Sequence, residues 1–166
     1  MPAPTKPHSE LIIEAVMAAL KKINLADGYF TEPKLVQRYS RNTRDTTDRP
    51  VLIVMEGMES RELRGGSSDF WDSDLAIHVT AIVDPAEEEP QTGPYTDELV
   101  ARLKADMLRV LGNEVDWDGL RARFKRVEAR NFILDDDEDP EDGTSFYVIV
   151  EYSHSIKDPS VALAPS

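Results

Sequence analysis

Apolar residues recur at helical spacing in the first patterned segment of the chain. They fall on two adjacent rows of a helix at Leu11, Ile12, Ala15, Val16, Ala19, Leu20 and Ile23. Ser9 is a suitable N-cap for this segment, and Asp27-Gly28 is a stop signal after it. The pattern therefore predicts a helix from Glu10 to Asn24.

Alternating and continuous apolar segments predict five strands. They cover Lys34 to Tyr39, Val51 to Met55, a long segment from Trp71 to Val83, Arg123 to Leu134, and a last segment from Phe146 to Tyr152. The second of these is apolar throughout, as in a strand that is covered on both faces. The segment from Gly57 to Ser68 contains Gly65-Gly66 and is interpreted as a hairpin tip or an extended loop.

A second helix is predicted between the third and fourth strands. It begins near Thr96, after an acidic, proline-containing linker from Asp84 to Tyr95, and ends at Leu111 with Gly112 as its C-terminal cap. The order αβββαββ predicts one α+β domain over residues 9–157, with a mostly antiparallel or mixed sheet of about five strands flanked by two helices. Residues 1–8 are expected to form a flexible arm and residues 158–166 a flexible tail.

The charge balance restricts what the domain is expected to bind. The 166 residues carry 19 basic and 32 acidic side chains, a formal net charge of -13. Because nucleic acids and anionic membranes are bound chiefly through Lys and Arg, we expect neither specific nucleic-acid binding nor membrane association. The chain has no cysteine, which excludes disulfides, thiolate metal ligands and a cysteine nucleophile. It also lacks an apolar segment typical of a signal peptide, so secretion by that route is not expected.

The acidic run from Asp135 to Asp142 invites a calcium interpretation. Asp135, Asp137 and Asp139 have the spacing of an EF-hand loop. However, Pro140 and Phe146 occupy the positions where such a loop needs its glycine and its bidentate glutamate. The better interpretation is a solvated hairpin tip.

The histidines and small residues do not form a catalytic motif. His8 lies in the predicted arm, whereas His78 and His154 lie within predicted strands without ligands at metal-binding spacing. Ser153-His154-Ser155 lacks the glycines of a nucleophile elbow, and Gly65-Gly66 is not followed by the lysine of a phosphate loop. The sequence therefore predicts no enzyme, no metal site and no cofactor.

Two groups of side chains are the best candidates for a partner interface, because Arg and aromatic residues concentrate at such surfaces: basic and aromatic residues beside the glycine pair, and a separate basic cluster before Pro50. The candidates are Arg41, Arg44, Arg49, Arg61, Arg64, Phe70 and Trp71. Separate basic and acidic patches on one chain allow copies to join head to tail. Two other interpretations stay open. The two rings cap the end of the sheet, or the charges are ordinary surface scatter.

The order of these segments resembles a known family. The layout comprises the helix Glu10 to Asn24 leading into Gly28-Tyr29-Phe30, the Arg-rich loop before Arg49-Pro50 and the strand that reaches Gly57, a long strand, an acidic linker, the helix Thr96 to Leu111, and the closing strand Phe146 to Ser155. Over residues 9–157 it resembles the tail terminator proteins of tailed bacteriophages, also called tail-completion or minor tail proteins.

The resemblance implies a structural protein of the virion, without catalytic residues, that assembles in the host bacterial cytoplasm. It implies a homomeric, hexameric ring that caps the tail tube, ends tube growth and joins the tail to the head connector. The expected partners are copies of the chain itself, the tail-tube protein and the connector or neck proteins. Genome DNA would pass through the ring only as cargo, and an acidic lumen would not retard it.

Two alternatives stay open beside this family. One is another phage neck, head-completion or tail-tube protein, because the linker from Asp84 to Tyr95 and the run from Asp135 to Asp142 do not match the family layout. The other is a small cytosolic ligand-binding or regulatory domain.

Overall fold

The computed structural model describes residues 6–39, 50–64, 69–82, 96–133 and 142–163. Its helices are α1 (His8–Leu20) and α2 (Thr96–Glu114), with one short 3-10 turn at Leu25–Asp27. Its strands are β1 (Leu35–Arg38), β2 (Val51–Leu63), β3 (Phe70–Ile82), β4 (Ala122–Ile133), β5 (Asp142–Ser155) and β6 (Ala162–Leu163). The α+β class, with two helices and one mixed sheet, is confirmed.

The strands β3 and β5 form the centre of the sheet, whose order is β1-β2-β3-β5-β4 with β6 beside the end of β5. They are antiparallel from Phe70↔Ser155 to Ile82↔Gly143. β2 is antiparallel to β3, and β4 is antiparallel to β5. β1 is parallel to β2 and pairs only with residues 51–54. The remainder of β2 therefore has one side without a strand partner in the described chain.

Both helices pack on one face of the sheet. The alternation of β3 and β5 puts the side chains of one set on this face, namely Leu75, Ile77, Val79, Phe146, Val148 and Val150. The helices bury their own apolar rows in the same cluster, with Ile12, Val16, Leu20, Leu103, Met107 and Leu111. A smaller cluster forms around Val51, Ile53 and Ile82. The alternating apolar residues predicted for these strands therefore form the sheet side of the core.

The first helix starts and ends earlier than its sequence pattern indicates. It begins at His8, directly after Pro7, whose carbonyl accepts hydrogen bonds from Glu10 N–H and Leu11 N–H at 3.1 and 3.4 Å. Pro7 is the N-cap, with φ -53° and ψ 147°, and the missing N–H of proline costs the helix no hydrogen bond at this position. Ser9 therefore lies inside the first turn, and the prediction that it is the N-cap is wrong. The helix ends at Leu20, short of Asn24.

β2 continues to Leu63, through a segment for which the sequence favours a hairpin tip or loop. A β-bulge between Glu56 and Glu59 absorbs the irregular register, and pairing with β3 resumes after it. Gly57 is required there, because a Cβ at this position would overlap the Ala76 carbonyl oxygen. The predicted strand ended early because a polar strand edge lacks the apolar alternation that marks a buried one.

Two further differences concern chain ends. Gly112 is not a cap, because α2 runs through it to Glu114. The sequence predicts a flexible tail from residue 158, but Ala162–Leu163 form β6 and Ser155 N–H donates to Val161 O at 2.9 Å. A two-residue strand carries no pattern of its own. The predicted linker at 84–95 and most of the acidic run at 135–142 lie outside the described residues.

A buried aspartate fastens α2 to the chain between the helix α1 and β1. Asp106, which is 1% exposed, accepts hydrogen bonds from Phe30 N–H at 3.0 Å and from Thr31 N–H at 2.7 Å. The Thr31 hydroxyl donates to the same carboxylate at 2.6 Å. The carboxylate thus satisfies donors that would otherwise be unpaired, and it fixes the course of this connection.

We expect Asp106→Ala to lower the free energy of unfolding by about 2 kcal/mol or more, because buried donors lose their acceptor. Thr31→Val removes only the hydroxyl and should cost about 1 kcal/mol. Urea unfolding of both variants beside the wild type measures the difference. An equal loss in the two variants would show that the backbone donors do not depend on Asp106.

Two glycines allow a matched test of the β2 bulge. Gly57→Ala should cost about 1–3 kcal/mol because the new methyl group meets backbone. Gly112→Ala should instead stabilise the protein by about 0.5–1 kcal/mol, because the site is helical and a methyl group there would have no atom within 4 Å among the described residues. Thermal unfolding of both variants gives the signs. Destabilisation by Gly112→Ala would contradict its helical placement.

Candidate functional site

A cleft of about 280 Å³ opens at the end of the sheet where β2, β3 and β5 meet the start of α1. Its lining combines aromatic, basic and small polar side chains, namely Pro7, Ser9, Arg61, Trp71, Tyr152, His154, Ser155, Ile156 and Pro159. Two of the interface candidates from the sequence, Arg61 and Trp71, are therefore brought to one place.

Strand alternation separates the two aromatic candidates. Trp71 pairs with His154 across β3 and β5, one pair beyond Asp72↔Ser153, and it lines the cleft. Phe70 is the adjacent residue on the same strand, so its side chain points to the opposite face of the sheet. Both rings are half-buried. A single surface that contains both rings is therefore not formed within one copy of the chain.

The remaining candidates have different positions. Arg64 N–H donates to Phe70 O at 3.1 Å and closes the ladder between β2 and β3. Arg41, Arg44 and Arg49 lie outside the described residues. The predicted cluster is thus located only in part, at Arg61, Arg64, Phe70 and Trp71.

A carboxylate organises the polar wall beside the cleft. Tyr152 donates its hydroxyl proton to Glu59 Oε1 at 2.6 Å, and Arg61 Nε donates to Glu59 Oε2 at 2.9 Å. Burial alone would raise the pKa of Glu59, but the hydrogen bonds from Arg61 and Tyr152 outweigh burial and hold that pKa below its usual value. Burial and the bond to Glu59 raise the pKa of Tyr152. Arg61 is therefore held in place by an ion pair, and its charge is locally balanced.

His154 lies near this carboxylate and also lines the cleft. The residue is 6% exposed, its Nε2 lies 3.6 Å from Glu59 Oε1, and its Nδ1 lies 3.3 Å from Ser155 O. The ring stacks on Tyr152 with the centroids 5.3 Å apart. Nε2 itself is buried and has no hydrogen-bond partner among the described residues. The cleft is therefore not offered this ring nitrogen.

His8 joins the two ends of the described chain, although the sequence placed it in a flexible arm. Its backbone N–H donates to Pro159 O at 2.9 Å, and its Nε2 lies 2.5 Å from Leu120 O. The ring centroid lies 5.6 Å from that of Tyr152. No local pattern reveals these contacts, because each partner is distant in the sequence. The prediction of a flexible arm is therefore not met at His8, which is buried.

A second, shallower cleft of about 330 Å³ lies between the 3-10 turn and the end of α2. Its charged groups are already engaged within the chain. Arg109 donates to Gly28 O at 2.7 Å and its guanidinium lies 4.5 Å from the centroid of the Tyr29 ring, while Lys22 pairs with Glu114 at 2.7 Å. We interpret this cleft as a packed joint between elements.

Within the described ranges, no group of three or more His, Asp or Glu side chains is placed to hold a metal ion. None of the described helices is long and apolar enough to cross a membrane. The cleft therefore offers an aromatic face, a guanidinium in an ion pair and stacked imidazole and phenol rings, which are suited to contact with another surface.

Comparison with known proteins gives no assignment, because the sequence matches no family model and has no significant similarity to a curated protein.

The burial of His8 gives a prediction for the dependence of stability on pH. Burial lowers its pKa, the Leu120 carbonyl opposes this, and the nearby His154 and Arg121 lower it further. A lowered folded-state pKa means that this contribution to stability is complete above about pH 6.5 and is lost as the pH falls from there through the folded-state pKa.

The expected result is a melting temperature that falls from about pH 7.5 to about pH 5.5, and falls less in His8→Gln, whose amide can still donate to Leu120 O. His78→Gln should also reduce this fall, because burial lowers the pKa of His78 at a separate site. Equal slopes in wild type and His8→Gln would show that His8 does not contribute.

Proposed function

We propose that this chain is a structural virion protein of the tail-terminator type, which forms a homomeric, hexameric ring that caps the tail tube and joins the tail to the head connector. The proposal combines the resemblance in sequence layout with one structural observation. In this role the chain performs no catalysis, needs no cofactor and is located in the phage neck or tail.

The supporting observation is the exposure of interface-type residues along one end of the sheet. In the open segment of β2 (residues 55–63), Met58 is 85% exposed and Leu63 is 59% exposed. Arg61 and the half-buried Trp71 lie in the adjacent cleft. Exposed apolar, aromatic and guanidinium groups that lie together are typical of a surface that is covered in an assembly.

The overall charge suits a ring through which DNA passes. A net charge of -13 gives the polyanion no general attraction to the protein, so DNA is not retained by counterion release. The chain is therefore proposed to contact the genome without binding it. Its stable partners are copies of itself, the tail-tube protein and the connector proteins.

The direct test is negative-stain imaging of the purified protein, alone and with tail-tube protein, together with its mass in solution. We expect closed rings, formed by the protein alone or after addition of the tube, because a terminator need only assemble where the tube ends. A protein that stays monomeric with every tube preparation would contradict the proposal.

Trp71→Ala tests the surface that the proposal uses. Truncation of a buried interface anchor costs roughly 2 kcal/mol or more, whereas one exposed ion pair contributes about 0–1 kcal/mol. We therefore expect Trp71→Ala to weaken ring formation more than Arg61→Ala does. Melting temperature is measured with assembly, because early unfolding with secondary loss of assembly would assign Trp71 to the core.

The cleft itself favours one second candidate, a small ligand-binding or regulatory domain. Its lining includes the aromatic side chains of Trp71, Tyr152 and His154, which are typical of ligand pockets. Saturable binding of a small molecule by a protein that never assembles would select this alternative.

A further inference from the structure

The two open edges of the sheet carry opposite charge. The open segment of β2 holds three acidic residues and one basic residue, whereas β4 holds four basic residues and one acidic residue. The strand order places these segments at opposite sides of one sheet, and no described strand pairs with the outer side of either. One copy of the chain therefore presents an acidic edge on one side and a basic edge on the other.

The charged groups at these edges are accessible. Glu56 and Glu62 are exposed and form no salt bridge with a described residue. On β4, Arg123 and Arg126 pair with Glu151 and Glu128, yet their side chains remain 59% and 58% exposed. Such exposed pairs contribute little and can exchange partners at little cost. Both edges therefore keep charge that a neighbour can meet.

Backbone groups are available at the β2 edge as well. Arg64 N–H points to β3, where it donates to Phe70 O. Because successive residues of a strand point their N–H and C=O groups to alternate sides, those of Leu63 and Arg61 point away from β3. They are donors and acceptors for one more strand.

Bulges and charges at strand edges also protect a sheet from unwanted pairing. Here β2 has a bulge between Glu56 and Glu59, and β4 has one between Phe124 and Arg126. Protection by charge is selective, however, because each edge repels its own kind and attracts the other. Pairing of β2 with β2, or of β4 with β4, is disfavoured, whereas pairing of β2 with β4 is not.

We propose that the open segment of β2 in one copy pairs with the outer edge of β4 in the next copy. This inference rests on the proposed homomeric ring and names its interface. Through β3 and β5, the directions of β2 and β4 are opposite, so the added pair is antiparallel and the helices stay on one side. The contact is heterologous, and it closes into a ring when the rotation permits.

The absence of cysteine allows a direct cross-linking test. Ser60, Asp74, Glu151 and Arg123 form one row across the sheet, so a copy that continues the sheet without axial shift brings Arg123 near Ser60. We expect disulfide-linked dimers when Ser60→Cys and Arg123→Cys proteins are mixed under oxidising conditions. If the two copies are shifted along the strands, other cysteine pairs should link instead. Glu62→Cys and Glu128→Cys test such shifted registers, because both residues lie on the same face of the sheet as Ser60 and Arg123.

Each single-cysteine protein oxidised alone is the control. It should remain unlinked, because neither edge pairs with itself. Self-linking at the rate of the mixture would assign a symmetric contact between like edges. No linkage in any mixture, at concentrations where the wild type assembles, would overturn the proposed interface.

A charge exchange provides the second test. Glu56→Lys with Glu62→Lys makes both edges basic, and Arg123→Glu with Arg126→Glu makes both edges acidic. Each double variant alone should associate about tenfold or more weakly than the wild type, as measured by sedimentation. An equimolar mixture should recover assembly, because every contact between unlike variants is again complementary. Assembly of either variant alone at wild-type strength contradicts the proposal.

Each matched control changes the net charge by the same amount as one of these double variants, but its substitutions lie away from the two edges. Glu32→Lys with Asp118→Lys matches the first variant, and Lys21→Glu with Lys104→Glu matches the second. Both should assemble as the wild type does. Loss of assembly in a control would attribute the effect to net charge, and the edge pairing would then lose its support. Melting temperatures of all variants confirm that each is folded.

The outcomes separate this inference from the proposed function. If rings form but the edges do not cross-link, the proposed ring is supported and the β2–β4 contact is contradicted. If the edges cross-link but the copies form open assemblies of variable length, the β2–β4 contact is supported and the closed ring is contradicted. Neither result depends on the identity of the phage or of the tube protein.

Discussion

The antiparallel ladder between β3 and β5 runs the whole length of β3, from Phe70↔Ser155 to Ile82↔Gly143. Every other strand is attached directly or through a neighbour to one of these two, and their shared alternation decides which side chains meet the helices. One slip of register would move that entire apolar set to the opposite face. The position of the core, of the cleft and of the open edges therefore depends on this ladder.

The candidate site shows the same dependence. Because Trp71 stands opposite His154, both lie at the end of the helix-covered face, where Tyr152 and Glu59 complete the wall. The neighbouring Phe70 is directed to the other face by the period of two. A sequence-based grouping of adjacent residues cannot make this distinction, because it is decided by the partner strand.

The fold was predictable where a local period records burial, and it was not where a polar, very short or distant contact supplies the order. The helix rows of α1, the alternation of β3 and β5 and the mixed α+β class were all predictable, since each side chain of the pattern faces one core. The polar continuation of β2, the strand β6 and the buried His8 were not. Leu63 pairs with Trp71, and Ala162 with His154, over short sequence separations without an apolar alternation to mark them, whereas His8 contacts Leu120 from a distant segment.

The distribution of charge on this protein also bears on the proposed assembly. If β2 of each copy pairs with β4 of the next, the basic side chains of β4 would lie beside the acidic side chains of β2. The opposite charges would then offset each other, so the described strand edges would offer less basic surface to hold a polyanion by counterion release. The same edge charges that select the neighbour would thus leave a ring that lets DNA pass. In the proposed ring, the subunit interface and the passage of DNA would be linked by one distribution of charge.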